Sequence, residues 1–76
     1  MMNPREGEYV YIPSSTKMML LHEDSLFVRR TKILDKPVYV IYLGQRTEDC
    51  EYGQVFLDGR IWHTNKINIY PGKENE

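Results

Sequence analysis

The residues able to do covalent chemistry are few and poorly placed for it. Cys50 stands in the run Glu48-Asp49-Cys50-Glu51, and the neighbouring carboxylates disfavour the thiolate that a nucleophilic cysteine needs. His22 and His63 are far apart, and neither sits in a local pattern with a serine or cysteine. No nucleophile–base pair is therefore legible. The acidic pairs Glu23-Asp24 and Glu48-Asp49 lie in polar stretches and read as solvated turns. One cysteine and two histidines make neither an internal disulfide nor a zinc set. The expectation is a protein that is not an enzyme and uses no metal or other cofactor.

What remains is the chemistry of binding, in three groups of residues. The first is the basic segment Arg29, Arg30, Lys32 and Lys36, with Lys17 as an outlier. It suits phosphate, RNA or an acidic protein surface. The same charges would also guard an edge strand against stray pairing. Phe27 alone is close enough in sequence to stack on a base.

The second group is aromatic: Tyr9, Tyr11, Tyr39, Tyr42, Trp62 and Tyr70. Such side chains serve binding surfaces because one end is apolar and the other polar. With Val10 and Ile12 inward, Tyr9 and Tyr11 point outward along the same strand. With Ile61 inward, Trp62 lies on the other face. Trp62 is then either the plug of a small core or part of an exposed patch with Tyr9 and Tyr11. Tyr42 and Tyr70 read as strand cover. The third group, Met1, Met18, Met19, Leu20 and Leu21, forms an apolar arm. It packs on its own fold or offers a surface through which two copies pair.

The elements that must position these groups are short strands. With 76 residues there is room for one domain with a modest core. The chain is 41% hydrophobic and 28% charged, with a net charge of −1, which suits a globular domain and argues against one that coats nucleic acid through phosphates alone. No apolar run approaches the roughly 20 residues that span a bilayer. The opening MMNPREGE lacks the apolar centre of a signal peptide, so no membrane association and a cytoplasmic setting are expected.

Residues 1–6 read as a flexible lead-in, 7–71 as the domain and 72–76 as a polar tail. GEYVYI alternates with period 2 and reads as a strand ended by Pro13-Ser14-Ser15. Thr16–Leu21 is too short for a stable helix and reads as an extended arm or short strand. Leu26–Leu34 reads as an edge strand or irregular loop. Regular alternation puts Val28, Arg30 and Lys32 on one of its faces. Val38–Leu43 is apolar on both faces and suits a central strand. Asp58-Gly59, between two β-rich runs, is a strong hairpin signal. Thr64-Asn65-Lys66 reads as a tight turn, and Ile67–Tyr70 as the last strand.

The stretches GEYVYIPSSTKMML, KPVYVIYLG and QVFLDGRIWHTNKINIYP together resemble the small SH3-like β-barrel proteins that tailed bacteriophages encode as short accessory proteins. The resemblance covers Gly7–Pro71. It implies an all-β chain, a small SH3-like barrel of about five strands, working inside a bacterial host. The paired tryptophans of signalling SH3 domains are absent, so proline-rich peptide recognition does not carry over. The Gly-rich basic first loop of the RNA-binding versions is absent too.

The expectation is therefore a binding protein that modulates a host or phage protein, with Tyr9, Tyr11, Arg29, Arg30, Trp62 and His63 at the contact. The alternatives are a nucleic-acid-binding barrel and a minor virion component.

Overall fold

The computed structural model describes residues 4–22, 27–46 and 50–72. The two acidic pairs, Met1 and the polar tail beyond Gly72 lie outside the described residues. The chain is all-β. Its strands are β1 (Tyr9–Ile12), β2 (Lys17–Leu21), β3 (Val28–Ile33), β4 (Val38–Gly44), β5 (Tyr52–Leu57), β6 (Arg60–Asn65) and β7 (Tyr70–Pro71), with one 3₁₀ turn at Lys66–Asn68. They form a single seven-stranded antiparallel sheet in the order β3-β2-β6-β5-β4-β1-β7.

The strand count exceeds the five expected, and the sheet is open, ending at β3 and β7. The extra strands come from the apolar arm and the basic segment. Lys17 to Leu21 pairs with Ile33 back to Val28, so two weak signals stabilise each other as a hairpin. A single bridge, Met19 to His63, joins that hairpin to β6. The last strand is also later and shorter than expected. Asn65 accepts the Ile67 N–H at 3.0 Å on its side chain. The Ile69 N–H bonds to the Lys66 carbonyl. Together these wind 66–68 into a 3₁₀ turn, and only Tyr70 and Pro71 return to pair with Tyr11 and Val10.

Other expectations hold. β1 alternates, with Val10 and Ile12 fully buried and Tyr9 63% exposed. β4 is central, between β5 and β1. Asp58 and Gly59 join β5 to β6 with φ of 54° and 77°, the two left-handed residues a type I′ hairpin requires. The lead-in departs from the flexible segment expected over residues 1–6, being hydrogen-bonded from Arg5 onward. The Gly7 N–H donates to the Tyr42 carbonyl, and the Tyr42 N–H to the Glu8 carbonyl, both at 2.8 Å. The Arg5 N–H donates to the Glu8 carboxylate at 3.0 Å.

The sheet coils. Val10 of β1 and Met18 of β2 lie in opposite halves of the strand order, yet both belong to one buried cluster with Val40, Tyr42, Val55 and Trp62. Burying such a side chain is worth about 1.5–3 kcal/mol. Lys32 of β3 ties that edge strand to the β5–β6 hairpin. Its Nζ lies 5.3 Å from the centre of the Trp62 ring and 3.4 Å from Asp58 Oδ2. Gly53 lets the core close at β5: a Cβ there would stand 2.7 Å from Ile69 Cδ1 and 2.8 Å from Tyr42 Cε1.

One irregularity redirects a side chain. Leu20 pairs with Arg30 but Leu21 pairs with Val28, leaving Arg29 as the extra residue of a β-bulge. Val28 therefore shares a face with Leu21 and Met19, not with Arg30 and Lys32 as regular alternation predicted.

Candidate functional site

The outer face of the sheet carries two features, one at each end. At the β1/β4/β7 end is a cluster of tyrosines. Tyr11 pairs with Tyr39 on β4 and with Tyr70 on β7. Its ring centre lies 5.2 Å from that of Tyr39 and 6.4 Å from that of Tyr70, both tilted, an arrangement aromatic rings favour. Tyr9 and Tyr39 are more than half exposed. A row of apolar side chains runs on from Tyr9 across the strands, through the registered positions Ile41, Phe56 and Ile61. Phe56 and Ile61 are each about half exposed, at 48% and 47%.

Toward the other end, β6 runs beside β2 of the β2–β3 hairpin, and there the outer face holds a cavity of about 250 Å³. Its apolar wall is Met19 and Leu21 of β2 and the bulge-displaced Val28 of β3. Its other wall is Cys50, Tyr52 and Arg46, and His63 of β6 also lines it. His63 is 6% exposed. Among the described residues, neither Nδ1 nor Nε2 has a hydrogen-bond partner. Burial pushes the His63 pKa below its ordinary 6.5, and the Arg46 charge pushes it the same way, so the ring is neutral at physiological pH. Nearby, the Tyr52 N–H approaches Cys50 Sγ at 3.5 Å, and Gln45 Nε2 donates to the Cys50 carbonyl.

Of the residues singled out in the sequence, Tyr9 and Tyr11 stand together on the outer face. Arg29 and Arg30 are exposed on the edge strand β3, away from the tyrosines. Trp62 is a core residue, 4% exposed, because the hairpin register sets it opposite buried Val55 and sets Ile61 opposite Phe56 on the outside. Its Nε1–H donates to the Leu57 carbonyl at 3.1 Å. It therefore takes no part in a surface patch. His63 lies on the outer face but is covered, so it is accessible only through the cavity. Lys32 is engaged with Asp58 and Trp62 and is not poised for a phosphate. Met18 and Leu20 are buried in their own core, which removes them as a surface for pairing two copies.

Tyr39 stood in the aromatic group read from the sequence but was not placed at the contact, and Ile41, Phe56 and Ile61 and the cavity were passed over entirely. The four residues were legible in principle, since β4 and the β5–β6 hairpin are apolar on both faces. The cavity depends on the Arg29 bulge and on a long-range bridge from β2 to β6, neither of which leaves a local signal.

Among the described residues, no group of three or more His, Cys, Asp or Glu is placed to hold a metal, and no helix is long and apolar enough to cross a membrane. Comparison of the chain with family models, with curated proteins and with solved structures finds no match.

Proposed function

We propose that this chain is a non-enzymatic binding protein whose outer tyrosine face docks on a partner protein. The observation that carries this reading is the exposed aromatic surface of β1, β4 and β7, with Tyr9 and Tyr39 at 63% and 61% exposure around the Tyr11 ring. Aromatic side chains held on a rigid sheet lose little freedom on binding and are frequent energetic anchors of interfaces. The apolar row through Phe56 and Ile61 extends the same face, and contiguous exposed apolar side chains of this kind favour an interaction site.

An SH3-like accessory protein of a tailed phage is the identity this reading favours, with a host or phage protein as target inside the bacterial cell. The sequence stretches behind that resemblance fall on β1–β2, β4 and β5 through β7, and the last of these returns to pair with the first. That return, together with the coil of the sheet, supports a small barrel of this kind.

The test is affinity capture from infected and uninfected bacterial lysate after nuclease treatment, with the same partner then titrated in purified form. Tyr9→Ser with Tyr39→Ser should weaken the purified partner's binding at least tenfold, corresponding to about 1.4 kcal/mol or more. Arg29→Ala with Arg30→Ala should leave it within about twofold. Recovery of nucleic acid alone, lost on the double arginine change and steeply salt-dependent, would overturn the reading in favour of a nucleic-acid-binding barrel. Presence of the chain in purified particles at fixed stoichiometry would overturn it in favour of a virion component.

A further inference from the structure

The geometry points to the cavity on the outer face where the β2–β3 hairpin meets β6 as a binding site for a small uncharged phenol, whose ring fills the apolar wall and whose hydroxyl pairs with His63. This site is separate from the tyrosine face and does not depend on the function proposed for it.

Three observations converge. The first is size. An apolar cavity of roughly 150 Å³ accepts a benzene ring, so about 250 Å³ accommodates a single substituted ring and excludes a large ligand. The second is the wall. Met19, Leu21 and Val28 give a ring apolar contact, and the Met19 thioether and the Tyr52 ring are favourable neighbours for an aromatic. A charged ligand would lose its hydration against that wall, and Arg46 repels a cation. The third is the orphaned imidazole. A buried donor or acceptor without a partner costs about 1–3 kcal/mol, and among the described residues both nitrogens of His63 are in that state.

A neutral imidazole has one donor and one acceptor nitrogen. A hydroxyl both donates and accepts, so it satisfies whichever nitrogen it meets, in either tautomer. A thiol is a weaker partner, and a ketone accepts only. Because the nitrogens are shielded from bulk water, the hydroxyl must reach them from within the cavity. Met19, the cross-strand neighbour of His63, is an unbranched, flexible side chain that can swing to admit it.

The phenol has two sources, a free small molecule or a tyrosine side chain of another polypeptide. The experiment is a titration of the intact chain with p-cresol, toluene and N-acetyltyrosine amide, followed by ¹⁵N NMR of the backbone and of the His63 ring. p-Cresol should bind about fivefold more tightly than toluene, the equivalent of one neutral hydrogen bond. It should shift the His63 ring nitrogens and the amides of Met19, Leu21 and Tyr52. His63→Leu should abolish the preference for p-cresol while toluene still binds. Tighter binding of N-acetyltyrosine amide than of p-cresol assigns the site to a polypeptide side chain, and its exclusion assigns it to a free phenol. Equal affinity for p-cresol and toluene in the unmodified protein overturns the inference without recourse to any variant. So does the absence of binding by both, or a set of shifts confined to Tyr11, Tyr39 and Tyr70.

Discussion

Trp62, His63 and Thr64 are consecutive on β6 and all are buried, but the two faces of the strand treat them differently. On the inner face, Trp62 donates its indole N–H to the Leu57 carbonyl at 3.1 Å, and Thr64 Oγ1 donates to the Lys17 carbonyl at 2.9 Å. On the outer face, His63 has two shielded ring nitrogens and, among the described residues, no partner for either. Buried polar atoms in folded proteins are almost always paired. The inner side chains thus behave as structure that is complete within the chain, while the outer one carries a cost that the fold does not offset. If that distinction is sound, the three positions should respond to substitution in different directions.

The largest response belongs to Trp62. Trp62→Ala removes the biggest side chain of the core, leaves a void and strips the Lys32 ammonium of the ring beneath it. A loss of about 3–5 kcal/mol is expected, enough to unfold much of a domain this small. Urea denaturation of the purified variant measures it. A loss below about 1 kcal/mol would mean that Trp62 is not packed in the core, and the inner face would lose its claim to be the structural one.

Thr64→Val comes next. The substitution keeps the shape and deletes the hydroxyl, leaving the Lys17 carbonyl without that donor. The cost should be about 1–2 kcal/mol. Its location matters more than its size, because only the Met19–His63 bridge otherwise registers β2 on β6. Amide exchange should therefore quicken in β2 and β3 while β1 and β4 stay protected. Uniform quickening over the whole sheet would show that the hairpin is held by other means.

His63→Leu should go the other way. Replacing an unpaired buried imidazole with an apolar group of similar volume removes a desolvation cost and adds apolar contact with Met19. Stability at pH 7.5 should be unchanged or higher, by up to about 1 kcal/mol. A loss of 2 kcal/mol or more would mean that the imidazole is satisfied, and the contrast between the faces of β6 would fail.

How far the sequence foretells these two faces follows from the range of the signals involved. β1, β4 and the Asp58-Gly59 hairpin were legible because alternation and turn chemistry act over a few residues. The direction of Trp62 was not, because Phe56 and Ile61 are as apolar as Val55 and Trp62, so either face of that hairpin could have turned inward. Thr16–Leu21 and Leu26–Leu34 are weak strands that stabilise each other, and their pairing is visible only in three dimensions. The burial of His63 is the least legible of all. It needs the hairpin paired alongside β6, the bulge at Arg29 that swings Val28 to the same side, and the segment bearing Arg46 and Cys50. Tyr9 and Tyr11 could be placed outward from one strand alone, whereas the Tyr39 and Tyr70 contacts required the pairing of β1 with both β4 and β7.

The smallest expected effect is the most selective for His63. The groups that face it are Arg46, Cys50 and Tyr52 from the opposite wall and the neutral Met19, Leu21 and Val28 of the hairpin. Burial and Arg46 both lower its folded-state pKa. In the unfolded chain it titrates near 6.5. Below that pH the unfolded chain binds a proton that the folded chain refuses, so stability is fully present above 6.5 and declines as the pH falls. The decline ends where the folded protein's own lowered pKa is reached. Midpoints of urea denaturation taken between pH 8 and pH 5 should therefore fall more steeply for the unmodified protein than for His63→Leu, with the two curves parallel above pH 7. Curves parallel over the whole range would show that His63 gains its proton equally well folded and unfolded. The imidazole would then be in contact with water, the face above it would be no more than a loosely covered surface, and the difference between the two sides of β6 would vanish.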